Sequence, residues 1–345
     1  MNRARGAPLL PGGPVGYAGM EQRDDPAWSG GHTLADAVTI AARRARQWRS
    51  LPDLLERQSV LGVVLVSGAI LYMLALVGYP FALALYLSVS DANVATSGLG
   101  NFVGFDNFVS LFQSSVFLTA LRNTLFFTLI AAVFKSLLGT TLAFLLAENL
   151  PGTRVFRLII LLPWTIPIAL SSITWKWMFD SQYSIINWIG THLGIIHGNP
   201  PIWLGDPNLA AASIIIVNIW RGFPFAAIIL LAGLTSIPQD ILDAAKMDGA
   251  NGLVRFRRVI VPMIAPILFI GGLYDLVFSL TDMTVVNLLT NGGPANTTHV
   301  LASYAFLVGV QSGALGRGAA IAVLLLPILL IVIILVLRSL KRREI

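Results

Sequence analysis

The sequence predicts an all-α polytopic membrane protein with six transmembrane helices. Of its 345 residues, 56% are hydrophobic and only 12% are charged, and the mean hydropathy is +0.77. A soluble domain carries roughly 25% charged residues. Because so few polar side chains cannot cover a water-facing surface, the composition excludes a soluble enzyme, a nucleic-acid-binding protein and a disordered chain. The chain has no cysteine, which excludes disulfides and thiolate chemistry.

The first 58 residues differ from the rest and are predicted to form a cytoplasmic flexible tail and a basic interfacial segment. Residues 1–31 are rich in glycine and proline, without hydrophobic period or signal-peptide core. From 34 to 56, apolar residues recur every three or four positions, with arginines on the other face. This segment is either a helix lying on the inner leaflet or a basic anchor for the first span.

Residues 59–345 are predicted to form one six-helix transmembrane domain. The apolar runs lie near 60–87, 118–147, 155–179, 209–235, 260–285 and 318–337. Each can cross about 30 Å of hydrocarbon at about 1.5 Å per residue. Prolines inside several runs predict kinked helices whose freed carbonyls find partners in neighbouring helices, which indicates a packed bundle.

The positions of the basic residues predict the orientation. Cytoplasmic loops of membrane proteins collect lysine and arginine. With the N-terminus inside, most of the 23 lysines and arginines lie in the tail, the inner loops and the C-terminal end. The outer loops and span ends hold only Arg122, Lys176 and Arg317. Both termini are therefore predicted to be cytoplasmic, and the net charge of +6 requires no nucleic acid as a partner.

The inner loop between the fourth and fifth spans, residues 236–262, is predicted to contain two short helices. Ser236 is the predicted N-cap of the first, and Pro238 lies in its first turn. A small-residue helix follows and ends near Gly249, and a basic amphipathic segment runs from 253 to 260. The loop is either an ordinary basic connector or a unit that docks into a cleft of another protein.

The loop resembles the signature of permease subunits of binding-protein-dependent ABC importers, Glu-Ala-Ala…Gly…Ile-x-Leu-Pro. This chain has Asp243-Ala244-Ala245, then Gly249, then Val259-x-Val261-Pro262, with Asp for Glu and Val for Ile and Leu. In that family the loop forms a coupling helix that sits in a groove of the cytoplasmic ATPase subunit. The resemblance implies eight coupling residues: Asp243, Ala244, Ala245, Asp248, Gly249, Arg255, Arg258 and Pro262.

Other stretches resemble the carbohydrate branch of these permeases, the maltose, glycerol-phosphate and trehalose type. They are residues 102–108, 121–125, 162–167, 175–179, 217–224, 232–238 and 288–294. Together they cover residues 60 to 337 in order, and the tail lies outside the match. The resemblance implies the type I ABC importer permease fold (MetI-like), with both termini inside and a cytoplasmic coupling helix.

Polar residues inside the fourth and fifth spans predict a transport site. An ionisable group in a span costs several kcal/mol unless it is paired or faces water, so each is a functional candidate. Asn218, Arg221 and Phe225 recur at spacings of three and four. Arg221 lies about 18 Å from the outer end at about 1.5 Å per residue. Asp275 and Asp282 are seven residues apart, which predicts one shared helical face.

Polar and aromatic side chains together suit a sugar. Permeases of the maltose type place their sugar site on these two helices, and the resemblance implies eight substrate-binding residues: Asn218, Arg221, Gly222, Phe225, Asp275, Phe278, Ser279 and Asp282. The alternatives are an ion pair of Arg221 with one of the two aspartates that only holds helices together, and a conformational gate. Lys135 has no predicted role; its expected partner is a carbonyl, another chain or a water-filled cavity.

The sequence has no Gly-x-x-x-x-Gly-Lys-Ser/Thr phosphate loop, so ATP hydrolysis by that route is excluded. The expectation is a non-catalytic subunit without metal or cofactor, since His192, His197 and His299 lack ligand spacing. The resemblance implies a permease for a mono-, di- or oligosaccharide in the bacterial cytoplasmic membrane. Its implied partners are a second homologous permease in a heterodimer, a dimeric ATPase, an extracytoplasmic sugar-binding protein and the lipid bilayer. The alternatives are an ion- or proton-coupled secondary transporter and a membrane scaffold.

Overall fold

The computed structural model describes residue 39 and residues 58–95, 98–148 and 151–341. The predicted tail and interfacial segment, apart from Thr39 and Gln58, lie outside the described residues. The chain divides into two compact units, Met1–Tyr72 and Met73–Ile345. In the first unit, the described residues 58–72 are helical.

The described part of the chain is almost wholly helical, which confirms the predicted all-α class. In chain order the helices are α1 (Leu61–Ser88), α2 (Asp106–Phe112), α3 (Ser115–Ala147), α4 (Thr153–Thr165), α5 (Ile168–Met178), α6 (Ile185–His192), α7 (Pro207–Thr235), α8 (Gln239–Met247), α9 (Gly252–Thr281), α10 (Thr284–Leu289), α11 (Leu301–Gln311) and α12 (Leu315–Lys341). Among these, α1, α3, α7, α9 and α12 are long and apolar enough to cross a membrane, and the bent pair α4 and α5 is the sixth candidate span.

The third span is sharply bent, whereas the sequence predicted one kinked helix over 155–179. The axes of α4 and α5 meet at 89°. Ile166 has extended backbone angles (φ −70°, ψ 133°), because a residue that precedes proline avoids the helical region. Pro167 then begins the next helix without an N–H to continue the ladder. The bend leaves Trp164 at the end of α4, facing α7.

The fifth span also differs from the predicted range of 260–285. It begins at Gly252, runs through a π-helical turn at Phe256–Ile260, and ends at Thr281. Asp282 has φ −74° and ψ 109°, outside the helical region. Its Oδ1 accepts a hydrogen bond of 2.8 Å from the backbone N–H of Thr284 as α10 begins. Asp282 is therefore the C-cap residue of α9 rather than an interior residue of the span. Its φ is still helical, and Asp275 and Asp282 line the same cavity, in agreement with the predicted shared face.

Helices α3 and α7 share the most extensive helix–helix contact of the described chain. They approach closely because residue 139 on α3 is glycine: a Cβ there would lie 2.9 Å from the Cβ of Ala226. One cluster of the hydrophobic core joins Phe127 of α3 and Val217 of α7 to Val286 of α10. This packing joins α3 and α7 to α10, which follows α9 directly in the chain.

The segment between α10 and α11 is tied to α3 by two polar residues. Asn123 Nδ2 donates to the backbone oxygens of Thr297 (2.6 Å) and His299 (3.0 Å). Thr124 Oγ1 accepts a hydrogen bond of 2.7 Å from the N–H of Leu301. Burial of the His299 ring lowers the pKa of that imidazole. These bonds give a structural reason for the polar pair Asn123–Thr124 inside an apolar span, since buried backbone groups need partners.

Candidate functional site

A cavity of about 250 Å³ lies among α3, α4, α7 and α9. All eight predicted substrate-binding residues line it: Asn218, Arg221, Gly222, Phe225, Asp275, Phe278, Ser279 and Asp282. Three further lining residues were not among the predicted ones: Lys135, Trp164 and Tyr274. The structure thus brings together the predicted substrate-binding residues of α7 and α9. It adds one lining residue from each of α3, α4 and α9.

Lys135 is the most buried charge of the cavity, with 5% of its side chain exposed. Its Nζ donates to Asp275 Oδ1 at 2.8 Å and to Ser279 Oγ at 2.9 Å. A water-filled cavity was one of the three surroundings expected for Lys135, and the residue does line a cavity. Its direct partner, the carboxylate of Asp275, was not expected. The predicted alternative, an ion pair of Arg221 with one of the two aspartates, is found with Asp282, whereas Asp275 is paired with Lys135.

Gly222 supplies the space that the Lys135 side chain needs. A Cβ at residue 222 would lie 2.5 Å from Lys135 Cε and 2.9 Å from its Nζ. Any other residue would therefore obstruct the path of the lysine past α7 to α9. The role of Gly222 in the cavity is therefore to leave space for the Lys135 side chain.

The second ion pair is looser than the first. Arg221 Nη1 lies 3.6 Å from Asp282 Oδ2, with 31% and 10% of the two side chains exposed. That separation allows charge attraction but exceeds the roughly 2.7–3.2 Å typical of N–H···O hydrogen bonds. Asp282 Oδ2, Arg221 Nε and Asn218 Oδ1 are buried and have no hydrogen-bond partner among the described residues. This side of the cavity therefore offers one unused donor and two unused acceptors.

Four aromatic rings form the other wall. Trp164 stacks on Phe225 with centroids 5.3 Å apart, Phe225 meets Tyr274 at 4.8 Å, and Tyr274 meets Phe278 at 4.3 Å. Trp164 reaches this wall through the bend after α4, which sequence spacing did not reveal. Tyr274 adjoins the predicted Asp275 and lines the cavity, but it was not among the predicted residues, which were Asp275, Asp282 and two residues between them, Phe278 and Ser279.

The cavity combines an apolar aromatic wall with charged and amide groups, an arrangement that binds molecules with polar edges and apolar faces. Within the residues that the structure describes, no three His, Cys, Asp or Glu side chains form a group that holds a metal ion. The polar groups of the cavity are instead arranged to donate and accept hydrogen bonds.

The segment 236–262 lies between α7 and the membrane-crossing part of α9. Ser236 is not the N-cap of α8 as predicted; it is the C-cap of α7, and its Oγ donates to Gly233 O at 2.7 Å. Pro238 occupies the N-cap position of α8. The chain turns at Gly249 (φ +79°), and Asn251 Oδ1 then caps α9 by accepting from Val254 N–H at 2.9 Å. A glycine at 249 is required because other residues are strained at positive φ.

The predicted coupling residues differ in exposure. Those that are exposed are Asp243, Ala244, Asp248, Gly249, Arg258 and Pro262. Arg255 is half-buried, and Ala245 is buried against the chain itself, so Ala245 does not belong to the outer surface that was predicted for it. Met247, which was not predicted, is 88% exposed. Lys246 donates a hydrogen bond to Asp243 and thereby lowers the pKa of that carboxyl.

Comparison with known proteins shows the family to which the chain belongs. Residues 135–344 match the family described as "binding-protein-dependent transport system inner membrane component". The chain belongs to this family. The matched residues include every predicted substrate-binding and coupling residue. The chain is therefore a multi-pass membrane permease subunit of an ABC importer, and the prediction of this function is confirmed over that of a secondary transporter.

Similar permeases cover most of the chain. It is 30% identical over 310 residues to the sulfoquinovosyl glycerol transport system permease protein of Agrobacterium fabrum, covering 89% of this chain and 98% of that one. It is 34% identical over 223 residues to the trehalose/maltose transport system permease protein of Thermococcus litoralis, covering 65% of this chain and 74% of the relative.

Solved structures share the fold of this permease. A chain of a bacterial ABC transporter involved in the import of the acidic polysaccharide alginate superposes with a TM-score of 0.71 at 22% identity, covering 85% of this chain and 98% of that chain. A bacterial alginate ABC transporter in complex with an alginate-pentasaccharide-bound periplasmic protein gives the same TM-score of 0.71 at 21% identity. This likeness confirms the predicted ABC importer permease fold.

Proposed function

We propose that this permease forms half of the translocation pathway for a sugar and binds that sugar in the cavity between α3, α4, α7 and α9. The observation that carries the proposal is the pairing of unpartnered polar atoms on one wall with four aromatic rings on the other. Sugars have hydroxyls around the ring and apolar C–H faces, which match these two walls. The relatives named for sugar transport add support.

The second half of the pathway is a homologous permease in a heterodimer. The aromatic wall favours this, because Tyr274 and Phe278 remain 40% and 51% exposed in this chain. The cavity, at about 250 Å³, is slightly below the roughly 300–1,000 Å³ typical of ligand pockets. A second subunit facing α9 encloses the ligand and enlarges the site.

Energy comes from a dimeric cytoplasmic ATPase that contacts the segment 236–262. The chain itself has no phosphate loop, and we propose that it is non-catalytic. The solvent-exposed surface of α8 and of the turn that follows it carries Ala244, Met247, Asp248 and Gly249. An exposed methionine beside small residues is typical of a surface that a partner covers. The half-buried Arg255 and the exposed Arg258 would make contacts at the rim of this interface.

The proposed location is the bacterial cytoplasmic membrane, with both termini in the cytoplasm. The basic residues favour this orientation, since Lys246, Arg257 and Arg258 lie on the same inner segment. An extracytoplasmic sugar-binding protein delivers the ligand from the opposite side.

Uptake into proteoliposomes tests the proposal. The complex is purified through a tag on this chain from its native membrane and reconstituted with the co-purified subunits and the binding protein. We expect accumulation of a radiolabelled sugar from a panel of mono- and disaccharides to require enclosed ATP and the binding protein, and to be insensitive to a protonophore. Uptake by the lone chain that a protonophore abolishes would contradict the proposal.

A further inference from the structure

We infer that this cavity reads uncharged hydroxyl groups and discriminates against acidic sugars. The inference rests on the proposed function and names the substrate class of the same site. Its starting point is the gap of 3.6 Å between Arg221 Nη1 and Asp282 Oδ2. A ligand group that bridges these two atoms from the cavity side must accept a hydrogen bond from the guanidinium and donate one to the carboxylate. A hydroxyl does both at once, whereas a carboxylate or sulfonate only accepts.

The unpartnered atoms point the same way. Arg221 Nε is a donor, whereas Asn218 Oδ1 and Asp282 Oδ2 are acceptors, and none has a hydrogen-bond partner among the described residues. Two of the three therefore need a donor from the ligand. Buried polar groups that stay unpaired are costly, so a ligand rich in O–H donors is favoured over an anionic one.

The charges of the cavity are already balanced without a ligand. Lys135 is held by Asp275 at 2.8 Å, so its charge is not available to an acidic ligand. Arg221 is left facing Asp282, which is its counter-charge. An anion that approaches Arg221 meets the Asp282 carboxylate at short range, and like charges that close repel each other. Asp282 is in this way a specificity-determining residue.

The other oxygen of Asp282 holds its carboxylate in place. Asp282 Oδ1 is fixed by the N–H of Thr284 at 2.8 Å, which holds the carboxylate just beyond the end of α9. Oδ2 therefore stays in place when a ligand hydroxyl enters, and Arg221, which is 31% exposed, has freedom to adjust. A preformed acceptor of this kind adds selectivity, because the site does not need to reorganise for its ligand.

Ligand-detected NMR on the full permease complex in lipid nanodiscs tests the inference without the binding protein. The probes are methyl α-glucopyranoside and methyl α-glucopyranosiduronate, which differ only in CH₂OH against a carboxylate at carbon 6. We expect the glucoside to bind about tenfold or more tightly than the glucuronide, and Asp282→Asn to bring the two within about twofold, because the repulsion is removed. Asp180→Asn, the same change in an outer turn, should leave the ratio unchanged.

The outcomes separate the inference from the proposed function. Equal or tighter binding of the glucuronide to the wild-type complex, or a ratio that Asp282→Asn does not alter, would overturn the inference and leave a sugar site standing. Binding of neither probe to the wild-type complex would contradict the sugar site itself, and the inference with it.

Discussion

Replacing Lys135 by methionine is expected to destabilise the permease by about 3–5 kcal/mol, because it leaves a buried carboxylate without its counter-charge. Lys135 Nζ lies 2.8 Å from Asp275 Oδ1, and only 5% and 19% of the two side chains are exposed. Ser279 also loses its donor. Thermal unfolding in nanodiscs and the amount of protein in the membrane measure the loss.

The double variant Lys135→Met/Asp275→Asn is expected to recover most of that stability, since neither charge then remains. Lys176→Met is the matched control: Lys176 is exposed in the last turn of α5, and its loss should change stability by less than about 0.5 kcal/mol. A double variant that is no more stable than Lys135→Met would contradict the ion-pair account.

Replacing Gly249 by leucine is expected to lower ATP-driven uptake more than about tenfold while the complex still assembles. The residue is exposed at the turn between α8 and α9, with φ +79°, and no atom of the described residues lies within 4 Å of the position of its missing Cβ. A leucine there adds about 1–2 kcal/mol of local backbone strain and projects from the surface proposed to contact the ATPase. The expected result is ATP hydrolysis that no longer drives transport.

Gly252→Ala is the control for this variant. Gly252 also has open space around it, but it begins α9 and its φ is not positive. Uptake by this variant should match that of the wild-type complex. Normal uptake by Gly249→Leu, with the ATPase still bound, would mean that the turn does not transmit motion.

Much of the architecture was predictable because hydropathy and proline are local signals. Every predicted span has a helical counterpart. Hydropathy and charge located the loop of residues 236–262 and the two helices with charged residues, and the resemblance implied their roles. A kink in the third span was predicted, but its angle of 89° and the break into two helices after Thr165 were not. Both Pro163 and Pro167 are visible in the sequence, but only Pro167 lies at a break, since Pro163 is accommodated inside α4. Tertiary packing decides between these outcomes.

The partners of buried charges were less predictable. The eight candidate residues of the cavity were found from helical spacing and from resemblance, since each is near another in sequence. Lys135 comes from a helix 140 residues distant from Asp275, and no periodicity reports such a contact. The only signal was the lysine itself, because a charge in a span requires a partner. Gly222 was informative only after the path of this lysine was known.

Cross-linking from the exposed Met247 tests the central claim that α8 and its turn contact the ATPase. Because the chain has no cysteine, Met247→Cys provides a unique thiol on a residue that is 88% exposed. In the complex from native membranes, a thiol-directed photo-cross-linker there should join this chain to the ATPase subunit. Tyr183→Cys, in the turn between α5 and α6, should not give this product. Labelling of the Met247→Cys variant only from outside the cell, or cross-links to lipid alone, would contradict the account.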